Sequence, residues 1–213
     1  MWNDILLKAI NETLIMVFVS TFFAVLIGFI PAVVLIITAP DGLKPNSIIY
    51  KTLDIIVNVL RSIPFIILMV VVVPITKSIV GTSIGIKGAI VPLTIAAAPF
   101  VARVLESSLR EVDKGVIEAA KSFGATNSQI IFKVMLKEAM PSIILGITLT
   151  IISIVGYSAM AGAVGGGGLG AAAIQYGYNR FRGDVMFYTV LILIVFVQGL
   201  QSLGNYIYKK KTK

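Results

Sequence analysis

The chain contains no cysteine and no histidine among its 213 residues. It therefore has no disulfide bond, no thiol nucleophile, and neither the soft metal ligands nor the imidazole proton shuttle that many enzymes use. Paired aspartates or a serine–histidine pair within an apolar segment, which an intramembrane enzyme would need, are also missing. We predict no catalytic residue, no metal site and no cofactor, so the chain itself is not expected to be an enzyme.

Charged residues are scarce as well. They make up 13% of the chain, whereas 57% is hydrophobic and the mean hydropathy is +0.98. This apolar content exceeds what a soluble domain needs for one core, so we expect a lipid bilayer to surround the chain. The net charge of +8 comes from basic residues that lie between apolar runs instead of on one basic face, which argues against a nucleic-acid partner.

Five apolar runs are long enough, or nearly long enough, to cross a membrane as helices. About 20 apolar residues, each rising about 1.5 Å, cross a hydrocarbon core of roughly 30 Å. The predicted spans are residues 13–37, 63–80, 86–101, 143–164 and 185–207. We predict an all-α integral membrane protein with one transmembrane domain, residues 13–207, between an external segment, residues 1–12, and a basic cytoplasmic tail, residues 208–213.

The positions of lysine and arginine predict the orientation, because short loops rich in these residues stay in the cytoplasm. With the N-terminus outside, thirteen basic residues lie in inner segments and five in outer segments. The N-out, C-in orientation is therefore favoured over its reverse.

Four consecutive glycines, residues 165–168, stand at the predicted exit from the fourth span. Glycine destabilises the interior of a helix, so we expect the helix to end at this glycine tract. Three interpretations stay open: a flexible loop, a place where helices pack closely, and the hinge of a gate.

The longest polar stretch, residues 106–141, separates the third and fourth spans and predicts two short cytoplasmic helices. Gly124 can take the left-handed conformation that ends the first helix. Thr126 and Gln129 have the spacing of a capping box that begins the second helix, and Pro141 marks the bend into the next span. The expected structure is a helix–turn–helix hairpin on the inner face of the membrane.

A narrow apolar stripe runs along the first helix of this hairpin. Its members recur at spacings of three and four residues and are Val116, Ile117, Ala120 and Phe123. The small side chains of Ala119 and Ala120 would let the helix enter a cleft. The stripe either packs on the chain's own membrane domain or docks into a groove on another protein.

Residues 118–143 read EAAKSFGATNSQIIFKVMLKEAMPSI and resemble the EAA motif of permease subunits of binding-protein-dependent ABC importers. The positions that match the motif are Glu118, Ala119, Ala120, Gly124 and Pro141. Met140 stands where the family usually has leucine before the distal proline, a departure that affects no charge. Residues 60–65, 92–109 and 156–160 are similar to the methionine-importer branch in particular.

This resemblance implies the type I ABC importer permease fold, with five spans per protomer, in a prokaryotic cell membrane. It further implies a homodimer that binds two cytoplasmic ABC ATPase subunits through the EAA helices and receives substrate from an external binding protein. Together with the apolar stripe, it assigns ATPase coupling to Val116, Ile117, Glu118, Ala119, Ala120, Phe123 and Gly124.

The energy source is predicted to lie outside the chain. Carriers driven by ions usually keep ionisable groups in mid-membrane, where charge is costly. Here the acidic residues nearest to the spans lie at their ends or in loops, and they are Glu12, Asp54, Glu106 and Asp184. Because no G-x-x-x-x-G-K-[ST] phosphate loop is present, energy is expected to arrive through the hairpin from a separate ATPase.

Two groups of residues are candidates for the translocation pathway. Tyr157, Ser158 and Met160 bring hydroxyl and thioether groups into an otherwise aliphatic span, with ordinary helix packing as the alternative. The second group would line the cytoplasmic mouth, although its arginine could equally be an interfacial anchor. Its members are Asn58, Arg61, Ser62 and Pro64.

The resemblance predicts the uptake of methionine, as the L form alone or with the D form, by alternating access. A permease for a different small amino acid stays open, because five apolar spans do not encode a substrate. A pore or channel subunit is a less favoured alternative, because it would leave the cytoplasmic hairpin without a use.

Overall fold

The computed structural model describes residues 2–212, and every regular element in that range is helical, as predicted. The α-helices are α1 (Trp2–Thr38), α2 (Ser47–Ser62), α3 (Phe65–Val71), α4 (Val73–Val80), α5 (Gly85–Arg110), α6 (Lys114–Ser122), α7 (Asn127–Gln129), α8 (Leu136–Glu138), α9 (Met140–Ala161), α10 (Gly168–Ala172) and α11 (Gly183–Thr212). Wider π-helical turns occupy Ile130–Met135, Gly162–Gly166 and Ala173–Tyr178.

Helix α1 begins at Trp2, well before residue 13, where the apolar run of the first predicted span begins. Residues 2–12, predicted as part of a separate external segment, continue the first helix without a break. Polar residues one turn apart support this extension, since the Lys8 ammonium lies 3.9 Å from the Glu12 carboxylate. The hydropathy pattern therefore marks only the most apolar part of α1.

The second predicted span, residues 63–80, is not a single helix. Helix α2 ends before Ile63, and its direction differs by 102° from that of α3. Pro64 explains the bend, because a proline disfavours the helical conformation of the residue before it. A second interruption at Val72 separates α3 from α4, whose first turn contains Pro74.

Among residues 2–212, four helices are each long and apolar enough to cross a membrane. They are α1, α5, α9 with its π-helical extension, and α11, and the bent pair of α2 and α3 raises the number to five. The helices that contain the third and fifth predicted spans extend beyond them: α5 continues to Arg110, and α11 continues through the basic tail to Thr212. The ends of these helices are polar, so hydropathy alone underestimates their length.

Helix α5 forms the centre of the bundle. Helices α1 and α9 pack against it, and α11 packs on α9. The main core combines buried side chains from the first three of these helices, namely Met16, Val17, Leu93, Val101 and Ile154. Within the chain, 67% of the apolar window of α5 is buried but only 11% of that of α11, so α11 leaves most of its surface for lipid or another subunit.

Replacing Ile154 by alanine is expected to lower the free energy of unfolding by about 2–5 kcal/mol, because the fully buried side chain would leave a cavity at the centre of the bundle. Thermal denaturation of the purified protein in detergent measures the loss. The matched control is Ile79→Ala at an exposed site, where the change should stay within about 0.5 kcal/mol. Equal decreases in the free energy of unfolding of the two variants would contradict the burial of Ile154 at the centre of the bundle.

Candidate functional site

The first helix of the hairpin is capped at both ends. The Asp113 carboxylate accepts a hydrogen bond of 2.7 Å from the backbone amide of Gly115 and so begins α6. Gly124 has a φ of +75°, and beyond it the Ala125 amide donates a bond of 3.1 Å back to the Ala120 carbonyl. The predicted left-handed turn at Gly124 is confirmed.

The second helix of the hairpin starts with the predicted capping box. The Thr126 hydroxyl accepts a hydrogen bond of 3.3 Å from the backbone amide of Gln129. The side-chain oxygen of Gln129 in turn accepts one of 2.8 Å from the backbone amide of Thr126. Helix α7, the π-helical turn and α8 then follow one another, and a bend at Ala139 leads into α9. Pro141 lies in the first turn of α9, where its missing amide hydrogen costs nothing.

A second apolar cluster attaches this hairpin to the membrane domain. Its largest buried members come from the end of α1, the end of α5 and the π-helical turn of the hairpin, and they are Ile36, Leu109, Ile130, Ile131 and Met135. Each buried side chain of this size contributes about 1.5–3 kcal/mol. We therefore expect the hairpin and the end of α5 to move together.

The predicted apolar stripe of α6 is divided between two surfaces. Ile117 and Ala120 are partly buried and pack against the cluster that holds the hairpin. Val116 and Ala119 are exposed, and Phe123 is 91% exposed. These three side chains, at spacings of three and four residues, form an outward apolar face that no described residue covers.

A salt bridge connects α6 to the loop after α1. The Lys114 ammonium lies 3.4 Å from the Asp41 carboxylate. The pKa of Asp41 is lowered by a hydrogen bond from its own backbone amide, opposed by partial burial, and lowered further by Lys114. Both side chains are more than half exposed, so this pair orients α6 more than it stabilises the fold. A cavity of about 100 Å³ lies between the loop and α6, and Glu118 and Lys121 are at its rim.

The residues predicted to line the cytoplasmic mouth lie on α2 and at the bend that follows it. The side-chain oxygen of Asn58 accepts a bond of 3.0 Å from Arg103. The Arg61 guanidinium lies 5.5 Å from the centre of the Phe100 ring, and the Ser62 hydroxyl donates to the Asn58 carbonyl at 2.8 Å. Asn58 and Arg61 remain exposed, so each can face an aqueous surface while α5 holds it.

The bend brings the two groups of predicted pathway residues together. Pro64 precedes α3, and the next residue, Phe65, stacks on Tyr157 of α9 with ring centres 4.8 Å apart. Met160 is exposed one turn further along α9. Ser158 instead is 2% exposed and donates to a carbonyl of its own helix, because it lies on the face of α9 turned to the core. This structure thus places Ser158 away from any pathway surface.

A partly buried ionic cluster around Glu106 joins α2 to α5, and the sequence analysis did not predict it. Glu106 is 2% exposed, and its carboxylate lies 2.7 Å from the Arg103 guanidinium and 3.4 Å from that of Arg110. The Tyr50 hydroxyl donates to the same carboxylate at 3.3 Å, and Arg103 also forms a salt bridge with Asp54. These five residues are called the Glu106 cluster below.

The signal for the Glu106 cluster is present in the sequence as helical spacing. Arg103, Glu106 and Arg110 recur at three and four residues on α5, and the members on α2 are four residues apart. It was missed because the third span was predicted to end at residue 101, which placed Glu106 outside the helix. Within residues 2–212, no group of three acidic side chains is arranged to hold a metal ion.

The glycine tract packs against α1. The Glu12 carboxylate accepts a bond of 2.7 Å from the Gly168 amide, and the Thr13 hydroxyl accepts one of 2.9 Å from the Leu169 amide. The backbone φ is positive at three of the four glycines, a conformation that other residues rarely adopt. Of the three interpretations left open, this geometry favours close packing between helices.

A family profile described as binding-protein-dependent transport system inner membrane component matches residues 24–210. The chain belongs to this family. Two other inner membrane components are similar to it over most of its length. The probable D-methionine transport system permease protein MetI of Vibrio cholerae is 50% identical over 203 residues, which cover 95% of this chain and 90% of that protein. The D-methionine transport system permease protein MetI of Escherichia coli (strain K12) is 51% identical over 162 residues, which cover 76% of this chain and 74% of that protein.

Solved structures match this inner membrane component along its whole length. A chain of the MetNI methionine ABC transporter in an inward-facing conformation has a TM-score of 0.97 and 47% identity, and the match covers 100% of this chain and 98% of that chain. An amino acid ABC transporter crystallised with histidines has a TM-score of 0.81 at 18% identity, which shows the shared fold alone. The predicted type I ABC importer permease fold is confirmed.

Replacing Glu12 by alanine is expected to lower the free energy of unfolding by about 1–3 kcal/mol, because the backbone amide of Gly168 would lose its hydrogen-bond acceptor. Hydrogen–deuterium exchange at Gly168 should become faster, and the thermal midpoint in detergent should fall. Glu12→Gln retains an acceptor oxygen and is the matched control, with a smaller effect on both. If the glutamine and alanine variants exchange at the wild-type rate, the glycine tract is not held by this side chain.

Proposed function

We propose that the chain is the membrane-spanning permease subunit of an ATP-driven importer that moves methionine into the cytoplasm. The observation that carries the proposal is the match to the MetNI methionine ABC transporter, at 47% identity and a TM-score of 0.97 over the whole chain. The permease relatives of Vibrio cholerae and Escherichia coli are described as D-methionine proteins, so both forms of methionine are proposed substrates.

The proposed assembly contains two copies of the chain, two ABC ATPase subunits on the cytoplasmic side and an external substrate-binding protein. The N-terminus lies outside and the C-terminus inside the prokaryotic cell membrane. The basic residues support this orientation: thirteen lie in the segments placed inside, among them Lys114, Lys121, Lys133 and Lys137 of the hairpin, and five lie in the segments placed outside.

The outward face of α6 supplies the contact with the ATPase in this proposal. Val116, Ala119 and Phe123 offer an apolar surface for a groove, while Ile117 and Ala120 hold the helix to its own membrane domain. Closure of the ATPase pair on ATP would move the docked hairpins, and the end of α5 would follow. The membrane domain would then switch as rigid bodies between inward-open and outward-open states.

The proposed substrate path runs along the axis between the two protomers. Tyr157 and Met160 contribute an aromatic ring and a thioether from α9, and Asn58 and Arg61 contribute polar groups from α2. Pro64 sets the direction of α3 between these groups. Ser62 and Ser158 do not supply free hydroxyl groups, because both donate to carbonyl groups of their own helices.

Transport by proteoliposomes tests this function directly. The chain is reconstituted with its ABC ATPase subunit and a binding protein, and uptake of labelled L- and D-methionine is measured with and without ATP. Uptake that requires ATP and both partners is expected. Passive flux that ignores ATP would instead support a pore subunit, and ATP-driven uptake of a different amino acid alone would refute methionine as the substrate.

The Gly124→Pro variant should insert into the membrane normally but fail to bind the ATPase. Proline fixes φ near −65°, whereas the turn between the two hairpin helices requires +75° at this position. Gly124→Asn is the matched control, since asparagine tolerates the left-handed conformation and should retain most of the binding. Co-purification with the ATPase subunit measures the effect, and wild-type recovery with the proline variant would contradict docking through this hairpin.

A further inference from the structure

The contact between α2 and α5 combines a small apolar cluster, in which Val57 of α2 packs with Ala102 of α5, with several polar bonds. Val57 is the one residue of α2 that is fully buried. The bonds to α5 come from Tyr50, Asp54 and Asn58, which are four residues apart along one face. The opposite face of α2 is apolar and exposed, and its largest members are Ile48, Ile55, Ile56 and Val59. Ionic and hydrogen-bonding groups therefore act together with a small apolar cluster to fix α2 against α5.

Arg103 is the residue that connects the two helices. One terminal nitrogen of its guanidinium lies 2.7 Å from Glu106 on its own helix, and the other binds Asp54 and Asn58 on α2. The planar guanidinium makes these bonds from two separate nitrogens, whereas a lysine ammonium would have to reach all three acceptors from a single nitrogen. Its remaining nitrogen, Nε, is buried and finds no partner within the described residues. The Arg103 side chain thus joins α5 to α2, although its Nε donor has no hydrogen-bond partner among the described residues.

The position of this bridge gives it a mechanical role. On one side, α5 ends at Arg110 and leads into α6 after three residues. On the other side, α2 leads to the bend at Pro64 and then to Phe65, which stacks on Tyr157. The Glu106 cluster therefore lies between the hairpin and the proposed substrate path.

We propose that Arg103 is a positioning residue for transport, which makes α2 follow α5 when the hairpin moves. The inference rests on the proposed function, because it requires an ATPase docked on α6. Sliding α2 along α5 would break the bonds of the guanidinium to Asp54 and Asn58. It would also remove the Tyr50 hydrogen bond from the buried Glu106 carboxylate. The bridge keeps one relative position of α2 and α5, so movement of the hairpin reaches the bend at Pro64.

The Arg103→Lys variant tests the bridge while keeping the charge. In proteoliposomes that contain the ATPase and the binding protein, methionine uptake should fall by about tenfold, within the range expected for loss of a coupling contact. ATP hydrolysis should fall much less, so more ATP is consumed for each methionine. The matched control is Arg182→Lys, which alters an arginine–aspartate pair at the opposite end of the bundle and should leave this ratio unchanged.

A purely structural role for Arg103 would lower the thermal midpoint and the protein yield but leave the ratio of ATP to methionine at the wild-type value. That result would overturn the proposal. An unchanged ratio together with unchanged stability would overturn it as well. If the wild-type complex binds and hydrolyses ATP but transports no methionine, the proposed substrate is wrong, and a measurement that needs no substrate then decides the role of Arg103.

That measurement uses the absence of cysteine from the chain. Spin labels are attached in the dimeric complex to Thr52→Cys on α2 or to Lys121→Cys on α6, both exposed positions, and distances between protomers are measured with and without ATP. In the wild type, both distances should change. With Arg103→Lys, the distance at residue 121 should change as before and that at residue 52 should not. Equal changes at residue 52 in the two proteins would refute the bridge.

Discussion

Every backbone amide and carbonyl group in the hydrocarbon region must find its hydrogen-bond partner within the protein. This constraint makes the described chain entirely helical in its regular elements and limits where its helices can break. At the glycine tract, Glu12 and Thr13 accept the amides that a continuous helix would have satisfied. At the start of α2, Asn46 accepts bonds of 3.1 Å from the amides of Ile48 and Ile49. Side chains thus close these two breaks, whereas the starts of α3, α4 and α5 have no side-chain cap.

The same constraint sorts the contacts of the bundle into two kinds. Around α5, apolar side chains of α1 and α9 interlock, and such packing resists rearrangement because any gap loses dispersion contacts. Between α2 and α5, directional bonds around Glu106 supplement a small apolar cluster of Val57 and Ala102. Both kinds of contact keep the joined helices in one arrangement.

The features that the sequence predicts well depend on neighbours within four residues. The left-handed turn at Gly124 and the capping box of Thr126 and Gln129 need no information from elsewhere in the chain, and the structure contains both. The apolar runs are equally local, and four of the five coincide with helices long enough to cross a membrane, whereas the second falls on the short helices α3 and α4. The EAA resemblance added the fold and the partners, which no spacing encodes.

The features that were missed depend on tertiary contacts. Residues 47–62 lie between the first two predicted spans, where hydropathy predicts no membrane helix, yet they form α2, which α5 holds through Tyr50 and Asp54. Likewise, helical spacing identified the stripe on α6 but not which members face inward, since Ile117 and Ala120 are covered by side chains distant in sequence. The extension of α1 through residues 2–12 has a similar origin, as Glu12 meets the glycine tract far along the chain.

The exposure of Phe123 has a consequence for the life of the protein in the cell. A phenyl ring that is 91% exposed at the end of α6 can adhere to apolar grooves of other proteins. A protomer whose Phe123 stays uncovered therefore carries a surface that favours aggregation. Synthesis of this chain in balance with the other subunits of its transporter would limit the concentration of such uncovered protomers.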